Sequence, residues 1–131
     1  MKRCVIDTNI YCDAMRGDAD AVAILRKPEA CLMSAIVIGE LLSGFRQGGK
    51  EWKNRDELQR FLQKQRVEKV DVTDETADFY AHILANLRQQ GTPIPTNDIW
   101  IAAVAMEHGA TLATQDEHFK YVQGLYVISK I

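Results

Sequence analysis

Short apolar runs that end in acids or small polar residues alternate along the chain with longer stretches whose apolar residues recur every three or four positions. Residues 2–6 read as a buried strand, stopped by Asp7-Thr8-Asn9. A helical stretch over 9–15 is interrupted at Gly17-Asp18, and a second, Ala19 to Arg26, ends before Pro28. Residues 30–33 form a second strand. Ser34 is placed to cap a helix over 35–46, which Gly48-Gly49 terminates. Residues 54–65 carry a helical stripe through Leu58, Phe61 and Leu62, and Val67 to Val72 is a third strand. Thr73 is the N-cap of the next helix, but Thr76 stands where Glu or Gln would complete a capping box. That helix runs through Phe79, Ile83 and Leu87 to Gly91, and Thr92-Pro93-Ile94-Pro95 follows as a stiff connector. Thr96 or Asn97 caps a helix over 97–108, ended by Gly109, and 111–113 and 125–128 are the last strands. The alternation predicts an α/β fold with a mostly parallel sheet of about five strands, covered on both faces.

With 131 residues, one domain spanning 1–131 is expected, large enough to bury a core unaided. A formal net charge of −2 excludes a global basic field, so any nucleic-acid contact needs a local patch or a bound metal. Cys4, Cys12 and Cys31 are odd in number and form no CxxC pair, which suits reduced thiols in the cytoplasm. No stretch approaches the roughly 20 apolar residues of a membrane span, so no membrane partner is expected.

Four acids stand where a parallel sheet collects its ligands. Asp7 ends the first strand, Asp116 follows the run Thr-Leu-Ala-Thr-Gln, Asp98 opens an apolar helix, and Glu40 lies inside the most apolar helix of the chain. Ligands bind beyond the carboxyl ends of parallel strands, and helices antiparallel to the strands begin on that same edge. Each acid has a simpler use: turn chemistry at Asp7, helix-dipole stabilisation at Asp98, capping at Asp116. Glu40 is harder to dismiss, because a buried Glu is rare unless paired. Gly39 beside it costs about 1 kcal/mol in a helix interior, which suggests close approach of another backbone. Four carboxylates brought together repel one another and need cations, and an oxygen pocket suits Mg²⁺ or Mn²⁺. Metal-assisted phosphodiester cleavage follows as the leading chemistry.

Taken in order, Val-Ile-Asp-Thr-Asn, Ser-Ala-Ile-Val-Ile-Gly-Glu-Leu-Leu-Ser-Gly, Asn-Asp-Ile-Trp-Ile-Ala-Ala and Ala-Thr-Gln-Asp-Glu-His-Phe resemble the four motifs of PIN-domain nucleases. The likeness is closest to the VapC-type toxins of toxin–antitoxin pairs and covers essentially the whole chain. It implies a three-layer α/β/α sandwich with an acidic metal pocket. Asp7, Glu40, Asp98 and Asp116 match the family's catalytic, metal-holding acids. Asn9 and Thr114 match polar neighbours of that site, and either could equally be turn chemistry at a strand end. The resemblance further implies endonucleolytic cleavage of tRNA or rRNA with Mg²⁺ or Mn²⁺, a homodimer, and a VapB-like antitoxin whose tail blocks the pocket. DNA would be reached only through that antitoxin. The stretch Gly-Thr-Pro-Ile-Pro-Thr-Asn-Asp is similar to that of toxins acting on initiator tRNA.

For RNA contact, Arg46, Lys50, Lys53 and Arg55 cluster after the Glu40 helix, and Arg16 lies near the first motif. A solvated helix face explains each of them as well. Tyr11 and Trp100 are candidates for base stacking, with core packing the alternative for Trp100. Trp52, Phe61 and Phe79 could form contact surfaces, though core packing suits them better. His82, His108 and His118 lack zinc-ligand spacing and read as helix-surface or helix-end residues. Three other readings compete: a PIN nuclease for RNA processing without an antitoxin, a haloacid dehalogenase-like phosphotransfer site, and a non-catalytic metal-binding regulatory module. Asn9 opposes the second, because such sites want an acid there. The third would want an acidic pair early and a Lys after a late strand, and Lys130 comes too late.

Overall fold

The computed structural model describes residues 1–131. Five parallel strands, β1 (Arg3–Ile6), β2 (Ala30–Ser34), β3 (Val67–Val70), β4 (Thr111–Ala113) and β5 (Val127–Ile128), form one sheet in the order β3-β2-β1-β4-β5. Helices α1 (Thr8–Met15) and α2 (Ala19–Arg26) link β1 to β2, and α3 (Ala35–Gln47) and α4 (Glu51–Leu62) link β2 to β3. Helices α5 (Asp74–Gln90) and α6 (Thr96–Glu107) link β3 to β4, and a 3₁₀ turn, Glu117–Tyr121, precedes β5. The chain first steps from β1 outward to β3, then jumps back over the sheet to β4 and β5. Right-handed crossovers put helices from these opposed walks on opposite faces. The result is the three-layer α/β/α arrangement. Its topological switch lies between β1 and β4, whose register pairs Ile6 with Ala113.

The core is continuous through the central strands and α6. Val5, Ile6, Leu32, Met33 and Leu112 are fully buried. Helix α6 is apolar nearly all round because it is covered by the sheet and by α5, and Ile101 through Ala105 have no exposed surface. Cys4 and Cys31 sit directly opposite each other in the β1–β2 register as free thiols, and burial pushes the Cys4 thiol up to about 12. No helix is long and apolar enough to cross a membrane.

Several local expectations change. Helix α6 starts at Thr96, with Pro95 as N-cap and no side-chain cap, because Asn97 turns its amide toward Glu40 instead. The Pro95 carbonyl accepts from the N–H groups of Asp98 and Ile99. Asp98 is thereby the third helical residue. The reciprocal capping contact of α5 does form: the Thr73 N–H donates to Thr76 Oγ1 at 3.0 Å, so a threonine hydroxyl replaces the longer acid. Helix α4 begins at Glu51, earlier than its apolar stripe, and Lys50 offers it no side-chain cap. Strand β5 is only two residues long, although the Leu112 N–H already bonds the Tyr126 carbonyl at 2.8 Å.

Candidate active site

Asp7 follows β1 at the switch point and caps α1, its Oδ1 accepting the Thr8 N–H at 2.8 Å. Its Oδ2 accepts the Thr114 hydroxyl at 2.6 Å and the Asn9 amide at 3.3 Å. Only 4% of Asp7 is exposed. Thr114, just past β4, also takes the Asp116 N–H on its hydroxyl oxygen at 2.9 Å. Asn9 reaches across to accept the Gln115 N–H at 3.0 Å. The β1 and β4 ends are therefore tied together by side chains as well as by the ladder.

Glu40 comes from the second turn of α3, whose start is fixed by Ser34 Oγ accepting the Val37 N–H at 3.1 Å. It is half-buried, and its two oxygens accept the Thr8 hydroxyl at 2.6 Å and the Asn97 amide at 3.3 Å. Asp98 and Asp116 approach from the other side through a shared partner, His118. Its Nδ1 lies 3.0 Å from Asp98 Oδ2 and 3.0 Å from Asp116 Oδ1. Asp116 also caps its own turn, Oδ1 accepting the His118 N–H at 2.9 Å. The capping use and the pocket use of Asp7 and Asp116 thus coexist in the same carboxylates.

The acids act on one another through charge. Burial raises the Asp7 pKa above its ordinary value, hydrogen bonds from Thr114 and Thr8 partly offset this, and the charges of Glu40 and Asp98 raise it further. Asp98 is also raised by burial, with the His118 hydrogen bond opposing and Asp116 and Glu40 adding. The His118 pKa is raised, chiefly by its hydrogen bond to Asp98. No Lys or Arg pairs with any of the four acids, and the one nitrogen base that meets them, His118, is cationic only when protonated. A pocket of carboxylate oxygens short of positive charge is a donor set for a hard divalent ion. Asp98, Asp116 and His118 together offer three ligand atoms within 4.8 Å of one another.

The PIN domain family model matches residues 4–125. The chain belongs to the PIN-domain family. Among characterised relatives, Ribonuclease VapC2 of Rickettsia felis is 31% identical over 126 residues, covering 92% of each chain. Ribonuclease VapC4 of Mycobacterium tuberculosis is 28% identical over 131 residues, covering 98% of each. The crystal structure of VapBC2 from Rickettsia felis bound to a DNA fragment from its promoter superposes with a TM-score of 0.85, at 27% identity, over 96% of this chain and 97% of that one.

Within this PIN domain, His118 was the residue sequence reasoning missed. It does lie exposed on a short helix, as expected, but its ring also reaches Asp98 and Asp116. The 3₁₀ turn it sits on folds back over the pocket, and the only sequence signal was its place two residues after Asp116. His82 and His108 do lie on helix surfaces and ends, away from the acids. Tyr11 cannot stack on bases: it is 2% exposed and meets Phe61 edge-on, centroids 5.3 Å apart. Trp100 stacks on Tyr80, centroids 4.1 Å apart, which is its packing use. Trp52, expected in the core, is 76% exposed beside Arg55, whereas Phe61 is buried and Phe79 half-buried. Arg16 caps the far end of α1 from Asp7, about 12 Å along the helix axis, and pairs with Asp13.

Gly39 is also corrected. Nothing lies within 4 Å of where its Cβ would be, so no backbone approaches it. It lines a shallow cleft of about 520 Å³ that runs from Asn97 and Glu40 along α3 to Gln47. Gly39→Ala should therefore stabilise the protein by about 1 kcal/mol in urea denaturation, as expected for a helical glycine with free space. Destabilisation would show that the helix needs a bare backbone there.

Proposed function

We propose that this PIN domain is a metal-dependent endoribonuclease and the toxin of a VapBC-type pair, cleaving tRNA or rRNA by phosphodiester hydrolysis. The observation that carries the reading is that Asp98 and Asp116 meet at His118, within charge range of Glu40 and the buried Asp7, with no Lys or Arg paired to any of the four. Relatives named ribonucleases support the activity, and the VapBC complex of similar fold supports a VapB-type antitoxin as partner. We assign the chain a second copy of itself as further partner, and contact with DNA through the antitoxin alone.

Asp7 and Asp98 would hold Mg²⁺ or Mn²⁺, with Asp116 and Glu40 completing the donor set. The ion supplies Lewis acidity that lowers the pKa of water and offsets charge on the phosphate. Thr114, Asn9 and the Thr8 N–H keep Asp7 from rotating, and the Thr8 hydroxyl with Asn97 aims Glu40. In-line attack of water on phosphorus would break the P–O3′ bond, the water's proton ending on the 3′-oxygen, and leave a 5′-phosphate and a 3′-hydroxyl. The stretch Gly91 to Asp98, similar to that of toxins acting on initiator tRNA, supports initiator tRNA as the substrate.

The cleft along α3 runs from Glu40 to Gln47, and Arg46 and Lys50 flank that residue in the chain, where RNA leaving the cleft could meet them. Lys50 is exposed, and Arg46 is 77% exposed, 4.0 Å from Glu51. Replacing both with Ala should weaken RNA binding and reduce the slope of log affinity against log salt by about 1 to 2. Unchanged affinity and slope would remove this patch from the interface.

The deciding experiment is incubation of bulk tRNA and rRNA with purified protein in Mn²⁺, Mg²⁺ or EDTA. Cleavage confined to the metal reactions, with discrete products, is expected. Equal activity in excess EDTA would overturn the mechanism. Absence of cleavage by antitoxin-free, metal-loaded protein on a full cellular RNA pool would overturn the assignment.

A further inference from the structure

The contact between His118 and its two acids has a shape that suits an ion. Nδ1 is 3.0 Å from both Asp98 Oδ2 and Asp116 Oδ1. A protonated Nδ1 would have to share one N–H between the two carboxylates, whereas a ring lone pair and two carboxylate oxygens within 4.8 Å of one another can converge on one ion. Cis ligands of an octahedral ion held at roughly 2.1 Å stand about 3.0 Å apart. That is the separation on both sides of Nδ1.

The placement is built into the fold. Asp98 is fixed in the first turn of α6 by the Pro95 start. Asp116 is anchored by its N–H on Thr114 Oγ1 and in turn holds the His118 N–H. The backbone of His118 is thus set by one of the two carboxylates its ring faces. Phe119, fully buried beside it, pins the 3₁₀ turn to the core. The ring itself stays 48% exposed, at the mouth of the pocket.

We propose that His118 Nδ1 is a direct ligand of the divalent ion and that this single nitrogen donor makes the pocket select Mn²⁺ over Mg²⁺. The inference rests on the metal site proposed above and specifies its ion. Imidazole nitrogen favours first-row transition ions, whereas Mg²⁺ keeps to oxygen ligands and water. Carboxylates alone accept both ions, so the discrimination falls to His118.

The test uses the full-length, metal-depleted protein, with Mn²⁺ alone as the probe. Electron paramagnetic resonance of free Mn²⁺ gives affinity, competition with Mg²⁺ gives selectivity, and electron spin-echo modulation reports nitrogen bound to manganese. The wild type is expected to show one nitrogen coupling and at least a tenfold preference for Mn²⁺. His118→Asn should still bind Mn²⁺ through oxygens but lose the coupling. Its Mn²⁺ affinity should fall about tenfold or more, on the scale seen when even an outer partner of a ligand is removed, with Mg²⁺ affinity less affected. His82 and His108 remain in that variant, so a coupling that persists belongs elsewhere and overturns the inference. Mn²⁺ bound in the wild type without nitrogen coupling overturns it as well, while leaving the metal site intact. Mn²⁺ binding that is absent, or indifferent to Asp98→Asn, defeats the metal site and this inference together.

Discussion

Asp98→Asn is expected to lower single-turnover RNA cleavage by about a thousandfold or more while leaving the folded protein intact. The magnitude follows from what one carboxylate does in such a pocket: it is a charge-bearing donor to the ion that stabilises the transition state. Loss of a single preorganised transition-state contact already costs about a hundred to a thousandfold. The substitution is nearly isosteric, and the Asn oxygen can still accept from His118 Nδ1, so local geometry has a means of survival. Burial and the nearby Asp116 and Glu40 disfavour the charge at Asp98 in the metal-free protein. The Asn variant should therefore be at least as stable as the wild type in urea without metal. Activity and stability moving in opposite directions is the signature of a functional charge held against its own preference. Retention of activity within tenfold would remove Asp98 from the chemistry.

The acids were legible in the sequence, and their companions were not. Asp7 and Asp116 each follow a strand, and Asp98 opens a helix. In a parallel sheet those positions share one edge, so order along the chain is enough to bring them together. Glu40 was legible for a different reason: an acid in an apolar helix asks for a partner, and Thr8 and Asn97 supply it. No comparable rule points to His118. Its ring reaches the pocket because a five-residue 3₁₀ turn bends there, and such a turn leaves no period in so short a segment. Gly39 misled because its cost in a helix is real but its cause was open. A bare position can admit a neighbour or keep a cleft empty, and the sequence is the same in both cases.

Element type was legible where period and punctuation agreed, as in α3 between Ser34 and Gly48. Boundaries slipped where a side chain had a tertiary alternative. Asn97 left its capping role for Glu40, and Thr76 took up one that its identity did not advertise. Aromatic positions were least legible. Tyr11, Trp52 and Trp100 are equally apolar on paper, yet one is buried against Phe61, one is exposed beside Arg55 and one stacks on Tyr80. Burial of a large ring depends on which face of its helix meets a neighbour, and that is set by packing between elements.

Divalent metal is expected to raise the melting temperature at pH 7.5 and to lose that effect near pH 4. Asp7 and Asp98 have folded-state pKa values above the ordinary 3.8. In the metal-free protein the folded state therefore holds these protons more tightly than the unfolded chain. Their contribution to stability is full below the unfolded value and is lost as pH rises through the raised folded values. Above those raised values both carboxylates carry charge against burial and mutual repulsion. An ion that binds only the folded state reverses this, adding about 2.7 kcal/mol at a hundredfold excess over its dissociation constant. For a protein of this size that corresponds to a shift on the order of 10 °C. At pH 4 protons compete for the same oxygens, and metal affinity falls with the ionised fraction. A thermal scan with and without Mn²⁺ at both pH values measures the difference, and the Asp7→Asn, Asp98→Asn double variant should show no response at either. An equal shift at pH 4, or one that survives in the double variant, would place the ion outside this pocket, because only ligands that must lose their protons can impose that pH dependence.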